Sequence, residues 1–160
     1  MEHVTQLARA VLFLVIAFAV FMVVQISSLA PMWLAFGSRF AFAGEGPMAS
    51  SRWCIGMLAG STAAAFFSGL GLARFGGVQR QRLCAVFAVL LCVLHAYAAA
   101  TVTERVAANA AMEVDLDTMS FSQAGEFAVS PAWYHAVALI SNAAAAVAGG
   151  RLNSVASDRR

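Results

Sequence analysis

The sequence contains no lysine; all ten of its basic residues are arginine. Charge of either sign is scarce: Asp, Glu, Lys and Arg together make 11% of the chain, against roughly 25% in soluble domains. So little charge argues against a water-soluble globule. The net charge is only +2 and the arginines are scattered, which excludes the basic patch that a nucleic-acid partner needs. The three cysteines make no disulfide framework. Cys84 and Cys92 stand eight residues apart, about 12 Å along a helix, too far to bridge. Cys54 has no obvious mate. All three read as small buried hydrophobes. Acidic residues show no EF-hand spacing, and no Ser-His-Asp arrangement selects a nucleophile.

What is present is apolar: 61% of the 160 residues. Four runs near the length of a bilayer crossing occupy about 7–36, 53–73, 83–103 and 131–150. They predict an all-α fold, an integral membrane four-helix antiparallel bundle forming a single transmembrane domain over 1–160, with an outer loop at 104–130. The length leaves no room for a separate soluble domain.

The first run is too long for the apolar region of a cleaved signal peptide. Met22, Gln25, Leu29 and Met32 share a face, and Gln25 and Ser28 are expected to meet other helices rather than lipid. In the second run Gly56, Gly60, Ala64 and Ser68 recur every fourth position, a stripe that lets another backbone approach closely. The GLG at Gly69–Gly71 lies inside this apolar helix with no preceding strand, so it is no nucleotide fingerprint. The third run is strongly apolar, its Leu, Val and Phe each favouring insertion by roughly 0.3–0.6 kcal/mol. Cys84, Ala88, Cys92, His95 and Ala99 make a weakly polar strip along it. The fourth run is the weakest. Val137, Leu139, Ile140 and Val147 carry it, and His135, Ser141 and Asn142 oppose insertion, so it depends on packing against its neighbours.

Between the third and fourth runs, ERVAANAAM is expected to extend the third helix. Glu113, Asp115 and Asp117 form an acidic cluster expected to be solvated, and Phe121, Phe127 and Val129 are apolar enough to touch the bilayer interface. Four crossings put both termini on one side, with Arg9, Arg74, Arg80, Arg82, Arg151, Arg159 and Arg160. Only Arg39, Arg52 and Arg105 fall on the other side. The positive-inside rule therefore places both termini in the cytoplasm. Trp33, Trp53 and Trp133 all fall at outer helix ends, as half of an aromatic belt. The wealth of Ala, Gly and Arg fits a GC-rich bacterial genome and a bacterial inner membrane.

His95 and His135 carry the candidate chemistry. Both fall in the outer half, on consecutive membrane helices, about 12 Å and 6 Å below the surface. Ionisable groups inside a membrane call for a functional hypothesis. Each neutral imidazole can hydrogen-bond Gln25, Asn142 or a backbone carbonyl. Alternatively the pair ligates haem or a metal ion. Five methionines near the outer side (Met32, Met48, Met57, Met112 and Met119) would suit monovalent copper, but no two stand at tight helical spacing, and Met is a common gap-filler.

Two motifs carry a resemblance. SSLAPMWLAF around Pro31, and WYHAVALISNAAAAVAGG with His135, Ser141 and Asn142, are similar to the helix ends of a bacterial four-span inner-membrane family. That family is of uncharacterised role and is related to a eukaryotic transmembrane protein linked to platinum-drug resistance. A glycine pair expected in its first span is replaced here by Phe21–Val24. A second four-span family that the chain resembles is that of the anthrone oxygenases. The first resemblance implies the four-span layout and no reaction.

The expected role is a non-enzymatic membrane component acting through a protein partner, a second copy of itself or a small ligand, at a polar cluster of Gln25, His95, His135 and Asn142. The alternative is a haem- or metal-binding redox or oxygenase-type membrane protein using His95 and His135. A transporter is disfavoured because the sequence shows neither an internal repeat nor a pair of broken helices.

Overall fold

A computed structural model of the chain describes residues 2–112 and 114–157. Glu113, Arg159 and Arg160, used above for the acidic cluster and the charge count, lie outside them. The described residues form six α-helices: α1 (Glu2–Phe36), α2 (Ser51–Phe75), α3 (Arg80–Ala100), α4 (Val102–Ala110), α5 (Phe121–Phe127) and α6 (Ala132–Ser157). No strand of a sheet occurs among the described residues; only two isolated β-bridges join the loops. Three helices are long and apolar enough to cross a membrane, over Val4–Phe36, Ser51–Phe75 and Arg80–Ala100. α6 is long enough but less apolar, for it carries His135, Ser141 and Asn142.

α1 runs through Pro31 to Phe36. Gly37, at a φ of 73° that favours glycine, stops it, and its N–H donates to Trp33 O at 2.8 Å. Ser50 caps α2, accepting from Trp53 N at 3.1 Å. α2 is the central element, packing on α1 along one face and on α6 along another, while α3 packs mainly on α6. The face of α2 toward α1 is the Gly56, Gly60, Ala64 and Ser68 stripe. A side chain at Gly56 would run into Met32, and one at Gly60 into Ser28. Ser68 Oγ donates to Ala17 O at 2.8 Å. The face toward α6 is closer still. A Cβ at Gly69 would fall onto the backbone of Ala146, and one at Gly149 onto that of Phe66.

Outward from this packing, α1 exposes Val11, Leu12, Val15, Phe18 and Val23, and α3 exposes Val86, Val89, Leu90, Val93 and Leu94. Soluble monomers rarely leave apolar surface this continuous in water. In lipid it is the ordinary surface of a membrane helix.

The segment between α3 and α6 departs from expectation in two ways. The third helix ends at Ala100, and α4 starts anew at Val102 after a break at Thr101. Phe121, Phe127 and Val129 do not face outward to the interface. Phe121 stacks edge-on with Trp33 at 5.6 Å and with Trp53 at 6.2 Å between ring centroids. Phe127 meets Phe42 at 5.9 Å. Val129 is wholly buried, held by Val129 N to Pro47 O at 2.7 Å and Ala49 N to Val129 O at 3.0 Å. Aromatic rings attract one another edge to face, and these contacts roof the helix ends. Ser120 and Gln123 start α5 with a reciprocal capping box.

Asp117 is not free in solvent. Its carboxylate pairs with the Arg39 guanidinium, through Nε and through Nη2 at 3.0 Å, and Arg39 also reaches Glu45 at 2.9 Å. The hydrogen bond from Arg39 holds the Asp117 carboxyl below its usual value of 3.8. A carboxylate with a lowered folded-state pKa contributes its full stabilisation above that value and loses it as pH falls through the lower, folded one. Both groups are exposed, so salt weakens the pair. Arg39→Gln should therefore speed protease cleavage within 111–120 at neutral pH. The parent should approach the same cleavage rate only in strong acid or high salt. Equal cleavage of both forms at pH 7 and low salt would show that the pair does not hold the loop.

Candidate functional site

The described carboxylate side chains, Glu45, Glu104, Asp115, Asp117 and Glu126, all belong to the end roofed by α5. Ser61, His135 and Asn142, all buried, sit beneath that roof, where α2, α3 and α6 meet. Asn142 is their hub and is fully buried. Its Oδ1 accepts from Ser61 Oγ and Thr62 Oγ1, each at 3.2 Å. Its Nδ2 stands 2.9 Å from His95 Nε2. An amide whose oxygen takes two hydroxyl protons turns its NH₂ to the ring, so His95 Nε2 accepts and the His95 proton sits on Nδ1. Thr62 also reaches Ser141 at 3.3 Å, so Ser141 is the outer edge of the network.

Helix spacing explains why these groups converge. On α6, Ala138, Asn142 and Ala146 fall one turn apart and are each fully buried, facing Ser61, Ala65 and Gly69 at the same spacing on α2. The absence of bulk above and below lets the Asn142 amide reach the α2 hydroxyls directly. On α3 the weakly polar strip points the same way: Cys84 Sγ lies 3.5 Å from Gly69 O and Cys92 Sγ 3.9 Å from Leu139 O. All three cysteines are free, and Cys54 and Cys84 are buried.

His135 is different. It is 7% exposed; neither ring nitrogen makes a well-aligned hydrogen bond, and the Ser130 backbone is the polar group nearest to pairing with it. Its ring centroid lies 5.9 Å from that of His95 and 5.1 Å from that of Tyr134. The two histidines do come side by side. The hydrogen bond that sequence spacing offers to either of them goes to His95 alone. Gln25 takes no part here. It lies on the α1–α2 seam, where its backbone carbonyl accepts from Ser28 Oγ at 2.8 Å. Ser61 and Thr62 belong to the site, although nothing in the apolar second run singles them out except their spacing from Ala65 and Gly69.

A metal ion between these imidazoles would have to take His95 Nε2 from the Asn142 amide, whereas His135 has a lone pair to offer. No group of three or more His, Cys, Asp or Glu stands together among the described residues. Haem fits less well. One turn below the histidines α3 and α6 touch through Cys92 and Leu139, so a porphyrin between the rings would have to part that seam.

Asn142→Leu keeps the branching and heavy-atom count of the side chain and removes the hub. Ser61 retains Leu58 O and Thr62 retains Ser141, so the loss falls on His95. The expected destabilisation is about 0.6–2 kcal/mol, the range for hydrogen bonds between membrane helices. It is read as a lower melting midpoint in detergent with membrane insertion unchanged; a midpoint equal to the parent's would mean that the amide contributes nothing.

The fold and site define a helical protein with three helices long and apolar enough to cross a membrane and a buried imidazole–amide–hydroxyl network. No protein-family model, curated protein or solved structure matches the chain.

Proposed function

We propose that the chain is a four-helix antiparallel bundle in a bacterial inner membrane, with both termini in the cytoplasm, and that it is a non-enzymatic membrane component binding a small polar ligand at the outer-half histidines. The observation that carries this reading is His135, buried with neither ring nitrogen in a well-aligned hydrogen bond. Buried polar groups are almost always satisfied, and an unsatisfied one costs about 1–3 kcal/mol. A ligand with a donor or acceptor offsets that cost. A protein partner seated on the α5 roof is the other route by which such a component acts.

The second reading is a metal-binding redox or oxygenase-type protein using His95 and His135, favoured by the 5.9 Å between their rings. An absorption spectrum and metal analysis of the purified protein separate the two. Stoichiometric metal or a Soret band that disappears in His135→Ala would replace the first reading with the second. Reporter fusions at Gly77 and after Arg160 should read cytoplasmic, and fusions at Gly44 and Asp115 periplasmic. A periplasmic signal at Gly77 would overturn the proposed orientation.

A further inference from the structure

At the end opposite the histidines, the turn from α2 to α3 stands open beside the start of α1. A cavity of about 520 Å³ there is lined by Gln6 and Arg9 of α1 together with Gly76 and Gln79 of the turn. Phe13 and Phe75 also line it, and the same two rings line a second cavity of about 440 Å³ that continues between α1 and α2. That second space is almost wholly apolar, bounded by Ile16, Val20, Phe67 and Gly71. The two spaces thus form one site with a polar, cationic mouth and an apolar tail. Each is within the ~300–1,000 Å³ typical of ligand sites.

We infer that this site holds an anionic phospholipid, its phosphate at Arg9 and the two glutamines and one acyl chain along the α1–α2 groove. The proposal rests on the chain spanning a membrane. Arg9 forms no hydrogen bond or ion pair among the described residues. Arg74, Arg80, Arg82 and Arg151 lie at the same end, where they and Arg9 outnumber Glu2 at the start of α1; Glu45, Glu104, Asp115, Asp117 and Glu126 lie at the other. The local field therefore favours a net negative headgroup over a zwitterionic one. Basic pockets between membrane helices on the cytoplasmic side select anionic lipids for this reason. The groove adds little affinity for one lipid over another, because a chain leaving the bilayer for it exchanges one apolar surface for another. It fixes where the lipid sits, and the headgroup supplies the choice. Gly71 keeps the groove open: a Cβ built there meets nothing within 4 Å.

The test uses the full chain purified in detergent and delipidated, titrated with mixed micelles of phosphatidylglycerol or phosphatidylcholine and separately with inorganic phosphate, followed by melting midpoint and by lipid retained in native mass spectrometry. Phosphatidylglycerol should be preferred over phosphatidylcholine by roughly fivefold or more, the effect of one basic side chain at a lipid surface, and phosphate should neither stabilise nor compete. Arg9→Gln should erase the preference. Gly71→Leu should fill the groove and weaken retention of phosphatidylglycerol, with the lipid-free midpoint at least as high as the parent's. Equal binding of the two lipids, a preference that survives Arg9→Gln, or displacement by phosphate would each overturn the lipid site. Failure of the membrane reading itself would show separately, as parent protein recovered in the soluble fraction of cells.

Discussion

Gly69→Ala should cost more stability than any other single methyl addition on α2. A Cβ there would overlap the Ala146 carbonyl oxygen, and would lie 2.8 Å from its carbon and 3.0 Å from Ala146 Cα. These atoms are helix backbone, hydrogen-bonded within α6, and cannot swing aside as a side-chain tip can. The helices must separate, and the movement is felt along the whole seam because Gly149 meets the α2 backbone at Phe66 in the same way one turn on. Overpacking typically costs about 1–3 kcal/mol, and this site belongs at the upper end or beyond it. Separation would also draw Ser61 and Thr62 away from Asn142, so the polar network should fail with the packing. Gly125→Ala is the control. Gly125 is helical within α5 with open space around it, so alanine there should stabilise by about 0.5–1 kcal/mol. The measurement is the detergent melting midpoint of each variant. A Gly69→Ala midpoint within error of the parent's would show that the two backbones do not touch.

The same seam shows what the sequence could and could not disclose. Hydropathy was enough for α1, α2 and α3, because a charge-free run of this length has few other uses. The Gly56–Ser68 stripe was legible as a packing face, and it meets α1. The second stripe on α2, Ser61, Ala65 and Gly69, has the same period but does not stand out from the small residues around it. Its partner on α6 lies within AAAAVAGG, where nearly every position is small and no face stands out until a neighbour selects one. The weakness of α6 as a span was readable from His135, Ser141 and Asn142. Which histidine Asn142 serves was not: His135 and Asn142 share a helix face, but a hydrogen bond needs the ring to reach across to α3, and that distance is tertiary. The roof formed by α5 had one local sign, Ser120 followed three residues later by Gln123, the pattern of a capping box. Its docking onto Trp33 and Trp53 depends on contacts some 70 to 90 residues apart in the chain.

His135→Leu should raise the stability of the ligand-free protein, the opposite sign to Asn142→Leu. Asn142 is a satisfied buried amide, and its removal leaves His95 without a partner. His135 is a buried imidazole with no well-aligned hydrogen bond, and only the Ser130 backbone stands near it, so its removal strands little. Burying an imidazole without a well-aligned hydrogen bond carries a desolvation cost of about 1–3 kcal/mol, and a leucine of similar volume carries none. The His95–Asn142 bond survives the change, since His135 takes no part in it. The midpoint of the variant should therefore rise by an amount equivalent to about 1–3 kcal/mol, while binding of any ligand or metal at the paired histidines falls below detection. Stability gained where function is lost is the usual mark of a binding group kept against its own folding cost. His95→Leu provides the contrast, because it leaves the Asn142 amide short of an acceptor and should destabilise. The comparison requires protein freed of ligand and metal, since a bound ligand would stabilise only the parent and hide the gain. If His135→Leu melts below the parent in that state, the His135 ring is satisfied within the protein, and the support for a polar ligand site is lost.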